Sequence, residues 1–433
     1  MNIRVVCLAF ASAALVAAAT DDDHDGHQLK NVVYVHSNNP QPGKNSVLGY
    51  NRNPDTGVLT EMAGSPFLTA GTGFLGGLGL GPDDHDQEIV VTRDHRFLYV
   101  VNQGSNSIAG FAIASDGSLR AVPGSPFPSG GVEPASIGMD RNLLIVVNRG
   151  DQQPGGGGGI HPPTYASFRI SDEGSLVALP VPQPAQVPGS SPSQALISPD
   201  GRLLFDANFL ENPFNNAGFA PLIPPFSTEL HSYRVDESGA LIPAAQVAPP
   251  FPPFILGLQV HPERRILYAG LVFANALATY VYDDDGNMTL AGATPGAPNG
   301  GLCWIAISPD ANNLYTADAV TDQIDVYSIA ADPLHPTLIQ TVNLAGIKNP
   351  VNLNLTGTFW DTTPFQLQTS SDGRFLYVVN HEESDPVGNA TGNALHFLQI
   401  GAGGMLTESP SSPMVFPLSE VPMNAHPLGV VVF

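Results

Sequence analysis

One short pattern recurs six times along this chain: a small polar turn, then an apolar strand. Ser198-Pro199-Asp200-Gly201-Arg202 leads into Leu203-Leu204-Phe205-Asp206-Ala207-Asn208, and Ser370-Ser371-Asp372-Gly373-Arg374 leads into Phe375-Leu376-Tyr377-Val378-Val379-Asn380. Ser308-Pro309-Asp310 precedes Leu314-Tyr315, and looser copies precede Phe97, Leu143 and Ile266. A seventh strand, Val32-Val33-Tyr34-Val35, has no such turn before it. Each apolar strand is followed by an alternating one, such as Leu230-His231-Ser232-Tyr233-Arg234-Val235, and then by a hairpin such as Asp116-Gly117-Ser118-Leu119. Alternation of period two marks a half-buried strand, and glycine supplies the positive φ of the hairpin. Four short strands repeated seven times specify an all-β, seven-bladed β-propeller. At roughly sixty residues a unit is longer than a compact blade of about forty, and the excess lies in loops. The first unit lacks an innermost strand. Leu428-Gly429-Val430-Val431-Val432-Phe433 supplies one, so the ring is expected to close by the C-terminal strand completing blade 1, which removes free sheet edges.

Composition agrees with this and excludes other classes. Among 433 residues there are 45 Gly and 41 Pro, which suits tight turns and long loops and opposes long helices. The 39 acidic against 16 basic residues give a formal charge of −23. Such a surface has no basic patch to displace counterions, so nucleic acid is excluded as a partner. Residues 1–19 read as a signal peptide: Arg4, an apolar stretch, then Ala17-Ala18-Ala19. That stretch is too short to span a bilayer comfortably, and no membrane span is expected elsewhere. Residues 20–30 form an acidic, His-containing tail, and residues 31–433 the propeller. The chain is therefore expected to be exported, to a bacterial periplasm or the exterior, as a monomer. Once residues 1–19 are removed, Cys303 is the one cysteine left; its apolar neighbours make it a buried, inert thiol.

The insertions are biased to one face. With strands a to d running from axis to rim, the b–c loops 150–164, 209–227 and 382–392 and the d–a connections 68–86, 249–254 and 344–365 share a side, while the a–b turns stay tight. Elaborated loops on a rigid scaffold carry function, so the site is expected there, over the central channel. Arg149, His381 and Glu382 follow b-strand ends on that face, and His426 leads into the closing strand. An Arg, His and Glu gathered round one channel can bind an anionic substrate and move protons; these four are the catalytic candidates. Asp84, His85 and Asp86 are the candidate metal ligands, although the loop lacks the regular spacing of a hard-cation site. No cofactor is required. Asp283-Asp284-Asp285-Gly286 reads as a hairpin turn. No G-x-S-x-G element is present, and the glycine run 155–159 lacks the Lys and Ser/Thr of a phosphate loop.

The full pattern, S-P-D-G-R-x-L-Y-V-x-N, an alternating strand, D-x-G-x-L and then Gly124-Ser125-Pro126-Phe127, resembles the seven-bladed lactonase family. That family includes the 6-phosphogluconolactonase type and carboxymuconate-cyclising enzymes, and YVTN-type surface propellers share its repeats. The resemblance implies a hydrolase for a small anionic lactone, using a few His, Arg and Glu residues over the channel. It also implies a histidine before the Ser308-Pro309-Asp310 turn, where this chain has Cys303, and an Arg-His pair where it has Phe365-Gln366. Asn148-Arg149-Gly150 matches a family N-R-G element. The alternative is a non-catalytic propeller that binds a protein or glycan through the elaborated face, using apolar loops at 221–226 and 249–254.

Overall fold

The structure, a computed structural model, describes residues 29–74, 85–151, 161–187, 190–208, 228–249, 254–346, 350–351, 359–360, 362–382, 392–423 and 425–433. The readings of residues 1–28, of Asp84 and of the loops 209–227 and 250–253 lie outside these. Within them the chain builds seven antiparallel sheets of four or five strands, and a small two-stranded ribbon, Pro350–Val351 with Phe359–Trp360. The chain is a seven-bladed β-propeller. Blade 2 is typical: Ile89–Val91, Phe97–Asn102, Ser107–Ile113 and Leu119–Ala121 lie side by side from axis to rim. Its second strand is buried along its whole length, because blades pack on both of its faces. The outermost strand of blade 6, Thr337–Asn343, instead alternates exposed and half-buried positions. The innermost strands touch their neighbours in sequence all round the ring.

Closure is made by the predicted strand. Val430–Val432 pairs antiparallel with Val32–His36, with Val431 opposite Tyr34. Arg52, buried in the third strand of blade 1, donates through one nitrogen to the main-chain oxygen of Phe433 at 3.2 Å and to Asp372 of blade 7 at 3.0 Å. The guanidinium thus ties blade 7, blade 1 and the closing strand together.

The repeated tyrosine and glycine have a joint purpose. The hydroxyl of Tyr99 in blade 2 donates to the main-chain oxygen of Gly174 in the c–d hairpin of blade 3, at 2.8 Å. Tyr34 does the same to Gly117 at 2.5 Å, and Tyr377 of blade 7 to Gly57 of blade 1 at 2.6 Å. Ser167 and Ser232 replace the tyrosine in reaching Gly239 and Gly286, at 2.7 and 2.6 Å. Each hairpin is therefore latched to the preceding blade. Gly174 has φ +83°, and a Cβ there would meet the Phe97 ring at 2.5 Å, so both conformation and contact require glycine. The a–b turns are held locally: Ser308 Oγ donates to Asp310 at 2.6 Å, and Asp310 accepts from the Asn312 amide at 3.1 Å. Asp283 likewise accepts from the Asp285 and Asn287 amides, so the acidic run 283–285 is the hairpin turn expected of it.

Two stability outcomes follow. Deleting residues 428–433 should lower the melting temperature sharply, since the first blade loses its inner strand; a melt unchanged from the full chain would refute closure. Tyr99→Phe should cost about 1 kcal/mol and Gly174→Ala more, measured by urea unfolding.

Candidate active site

The beginnings of the a strands and the ends of the b strands meet at the loop-face end of the channel. Four blades contribute to a buried polar layer there. His85, in the connection before Ile89–Val91, contacts Glu88 through Nδ1, and its Nε2 lies 3.0 Å from Gln103 Oε1. Glu88 also accepts from the Gln366 amide of blade 7. From blade 6, Trp304 Nε1 donates to the His85 main-chain oxygen at 3.0 Å. Gly429 of the closing strand completes the layer, since a Cβ there would sit 3.3 Å from Glu88 and 3.2 Å from Gln366. His85 and Glu88 are both fully buried, so the Glu88 carboxyl is met by protein partners rather than water.

Beside this layer runs a ladder of rings. Trp304 lies on Phe365 with centroids 3.6 Å apart, Phe365 on His381 at 4.5 Å, and His381 on His426 at 4.7 Å. The two candidate histidines, from blade 7 and from the lead-in to the closing strand, are thus neighbours. His381 is 1% and His426 5% exposed. Glu382, the next residue, is also buried, and its carboxylate accepts from the Gly392 amide at 3.2 Å.

Arg149 stands in another part of the ring. It was expected to open onto the loop face, but it is only 1% exposed. Its guanidinium donates to Ser191 Oγ from the blade 4 connection, and its backbone amide to the Glu133 main-chain oxygen at 2.9 Å. The Glu133 side chain is the group that sequence reasoning missed. Burial pushes its carboxyl up from 4.5 to about 7, although the Arg149 charge pulls the other way. Desolvation by the surrounding blade ends exceeds that attraction. The available signal was Glu133's place one residue before an a strand, opposite Arg149 at the end of the adjoining b strand.

The metal reading finds its residues otherwise engaged. Both His85 ring nitrogens face Glu88 and Gln103. Asp86 lies instead along the channel, where burial pushes its carboxyl up to about 7. Among the described residues no three His, Cys, Asp or Glu side chains are grouped to hold a metal ion. Cys303 is buried, with Sγ 3.2 Å from the Gly301 oxygen. Phe254, expected in an exposed apolar loop, is 1% exposed and packs on Phe273 at 4.7 Å. Strand pairing at Ile255 draws it inward, where it joins the core with Trp304 and Phe365.

Residues 44–153, from blade 1 through Arg149, match the family described as lactonase, 7-bladed beta-propeller. Over that stretch the chain is similar to the lactonase family. It is 24% identical over 284 residues to 6-phosphogluconolactonase of Yersinia pestis, covering 65% of this chain and 72% of that one. It superposes on the periplasmic gluconolactonase of Pseudomonas aeruginosa with a TM-score of 0.64 and 16% identity, covering 92% of this chain and 98% of that one. A hypothetical selenium-binding protein from Sulfolobus tokodaii gives a TM-score of 0.60 at 14% identity, covering 93% of this chain and 94% of that one. Likeness at that level shows the ring and not the reaction. Among the described residues no helix is long and apolar enough to cross a membrane.

The polar layer is the test of this geometry. Glu88→Ala would leave His85 and Gln366 without the carboxylate that both contact. It should cost about 1–3 kcal/mol, the range for leaving buried polar partners unsatisfied, and more than Glu88→Gln, in urea unfolding. Equal losses would show that the carboxylate is not the centre of the layer.

Proposed function

We propose that this propeller is exported and hydrolyses a small lactone at the loop-face end of its channel. One observation carries the reading: the Glu133 carboxyl, poised at about 7, lies in the field of the buried Arg149 guanidinium. Lactone hydrolysis at neutral pH needs a base and a fixed positive charge for the carbonyl oxygen, and the ideal base titrates near the working pH. Ionised Glu133 takes a proton from water as its oxygen bonds to the lactone carbonyl carbon. The carbonyl oxygen becomes an oxyanion facing Arg149. The ring C–O bond then breaks, and the proton on Glu133 passes to the departing alkoxide, leaving a hydroxy acid. Arg149 is already buried and bonded to Ser191, so it need not reorganise as charge develops. An anionic lactone would bind through the same guanidinium. His381 and His426, across the ring in blades 7 and 1, are the second acid–base grouping within the candidate site.

The test is hydrolysis of a lactone panel by the purified protein, followed by proton release. Because Glu133 is raised, its base form accumulates above pH 7, so kcat/KM should climb as pH rises through about 7. Glu133→Gln should remove that limb and lower kcat/KM by about 100-fold. Arg149→Ala should produce a loss of similar size, which Arg149→Lys only partly restores, since Lys lacks the planar guanidinium. Absence of turnover on every lactone, with the protein folded, would displace this reading in favour of a partner-binding propeller.

A further inference from the structure

The channel does not end at the polar layer. Beyond it a cavity of about 530 Å³ runs along the inner strands from Asp86 to the a–b turns on the opposite face. Its inner end is closed by buried Gln194 and Gln366, beneath the His85–Glu88 layer, and its outer end by exposed turn residues such as Arg93 and Ser371. This volume lies within the range of small-molecule sites.

The orientation of the carboxamides around it is fixed by their backbone partners. A main-chain N–H can only donate, so the amide atom facing it must be the oxygen. Gln259 Oε1 accepts from the Val260 amide at 3.0 Å, and Gln368 Oε1 from the Val432 amide at 2.9 Å. Gln194 Oε1 accepts from the Leu258 amide at 2.6 Å, and its nitrogen then donates to Gln87 Oε1 at 3.0 Å. In Gln87, Gln259 and Gln368 each oxygen thus already accepts one hydrogen bond, and the NH2 end of each remains as a donor. All three are half-buried and line it. Asp86 adds a carboxyl at the inner end. Between these polar groups lie aliphatic walls such as Leu196 and Ile307.

We propose that this cavity, between the polar layer and the turn face, is a binding site for a small uncharged polyhydroxylated molecule, a free sugar or polyol, held by the carboxamides of Gln87, Gln259 and Gln368 and by Asp86. Donor groups alternating with aliphatic wall suit a molecule that carries hydroxyls and C–H faces together. Charge excludes the other classes. Arg93 at the mouth points to solvent and pairs with Asp140 at 3.1 Å and with the Pro199 oxygen, and His95 packs its ring on Phe433 at 4.5 Å. An anion would meet Asp86 without a compensating cation. A hard cation would find one carboxyl where it needs six or more oxygen ligands. The site is separate from the lactone reading and does not depend on it.

Calorimetric titration of the full chain with a free hexose, a hexitol and a hexuronate tests it. At about pH 8, where the Asp86 carboxyl is mostly ionised, the hexose or hexitol should bind and the hexuronate should bind at least about tenfold more weakly. Gln259→Met, which removes one donor, and Ile307→Phe, which fills the cavity without removing any, should each weaken binding about tenfold or more. Arg149→Ala should leave it unchanged while lowering lactone kcat/KM about 100-fold, which keeps the two sites distinguishable. No heat from either neutral ligand at tens of millimolar (an order-of-magnitude ceiling for a site of this kind), equal binding of the hexuronate, or wild-type affinity in Ile307→Phe with a normal melting temperature would each overturn the proposal.

Discussion

At six of the seven blade boundaries a hydroxyl reaches the next blade's c–d hairpin, and from blade 6 the Asn313 amide does so instead; these links govern the ring. Backbone hydrogen bonds between blades are few, such as Ile137 N–H to the Gln87 oxygen at 2.9 Å, so lateral order comes mainly from packing and from side chains. Tyr99 to Gly174 and Tyr377 to Gly57 are such links, and the latter crosses from the last blade to the first. The hydroxyl would otherwise be buried without an acceptor, at a cost of about 1–3 kcal/mol. The glycine provides the carbonyl because its φ of +83° at residue 174 turns the hairpin back toward the neighbour. The same pairing that satisfies the tyrosine thus sets the spacing between blades. Arg52 does for the closing strand what these hydroxyls do for the hairpins.

That regularity is why the fold could be read from the chain alone. The L-Y-V strands, the D-x-G hairpins and the S-P-D turns are local signals with local physical causes, and the ring follows from repeating them. The last strand was legible because Val430-Val431-Val432 has the apolar run that blade 1 lacks. The candidate site is different. Glu88 and Gln366 are 278 positions apart and Trp304 and His85 are 219 apart. No spacing rule joins them; only ring closure brings blades 1, 2, 6 and 7 onto one axis. His381 and His426 could be nominated from strand ends, but their stacking through Phe365 and Trp304 could not. Arg149 was nominated as an exposed residue because it follows a strand end, and the structure buries it because the blade 4 connection folds over it with Ser191.

The acidic balance of the chain bears on how the two ends of the channel divide their chemistry. A formal charge of −23 repels anions at long range, but that field is screened within about 8 Å at physiological salt. What an arriving lactone experiences close in is the local arrangement. On the loop face that arrangement includes a buried guanidinium whose charge water cannot screen, next to a carboxyl that burial has made a weak acid. At neutral pH Glu133 is ionised in part, so its repulsion of an anion is partial as well. The same desolvation that makes it a fitting base therefore also lowers the barrier to binding a negatively charged substrate. On the turn face the cation at the mouth is already paired with Asp140, and the cavity behind it is lined by amides and, at its inner end, by the half-buried Asp86 carboxyl. Overall charge is common to both ends; what separates them is that the loop-face guanidinium is buried, whereas the turn-face one is exposed and paired with Asp140.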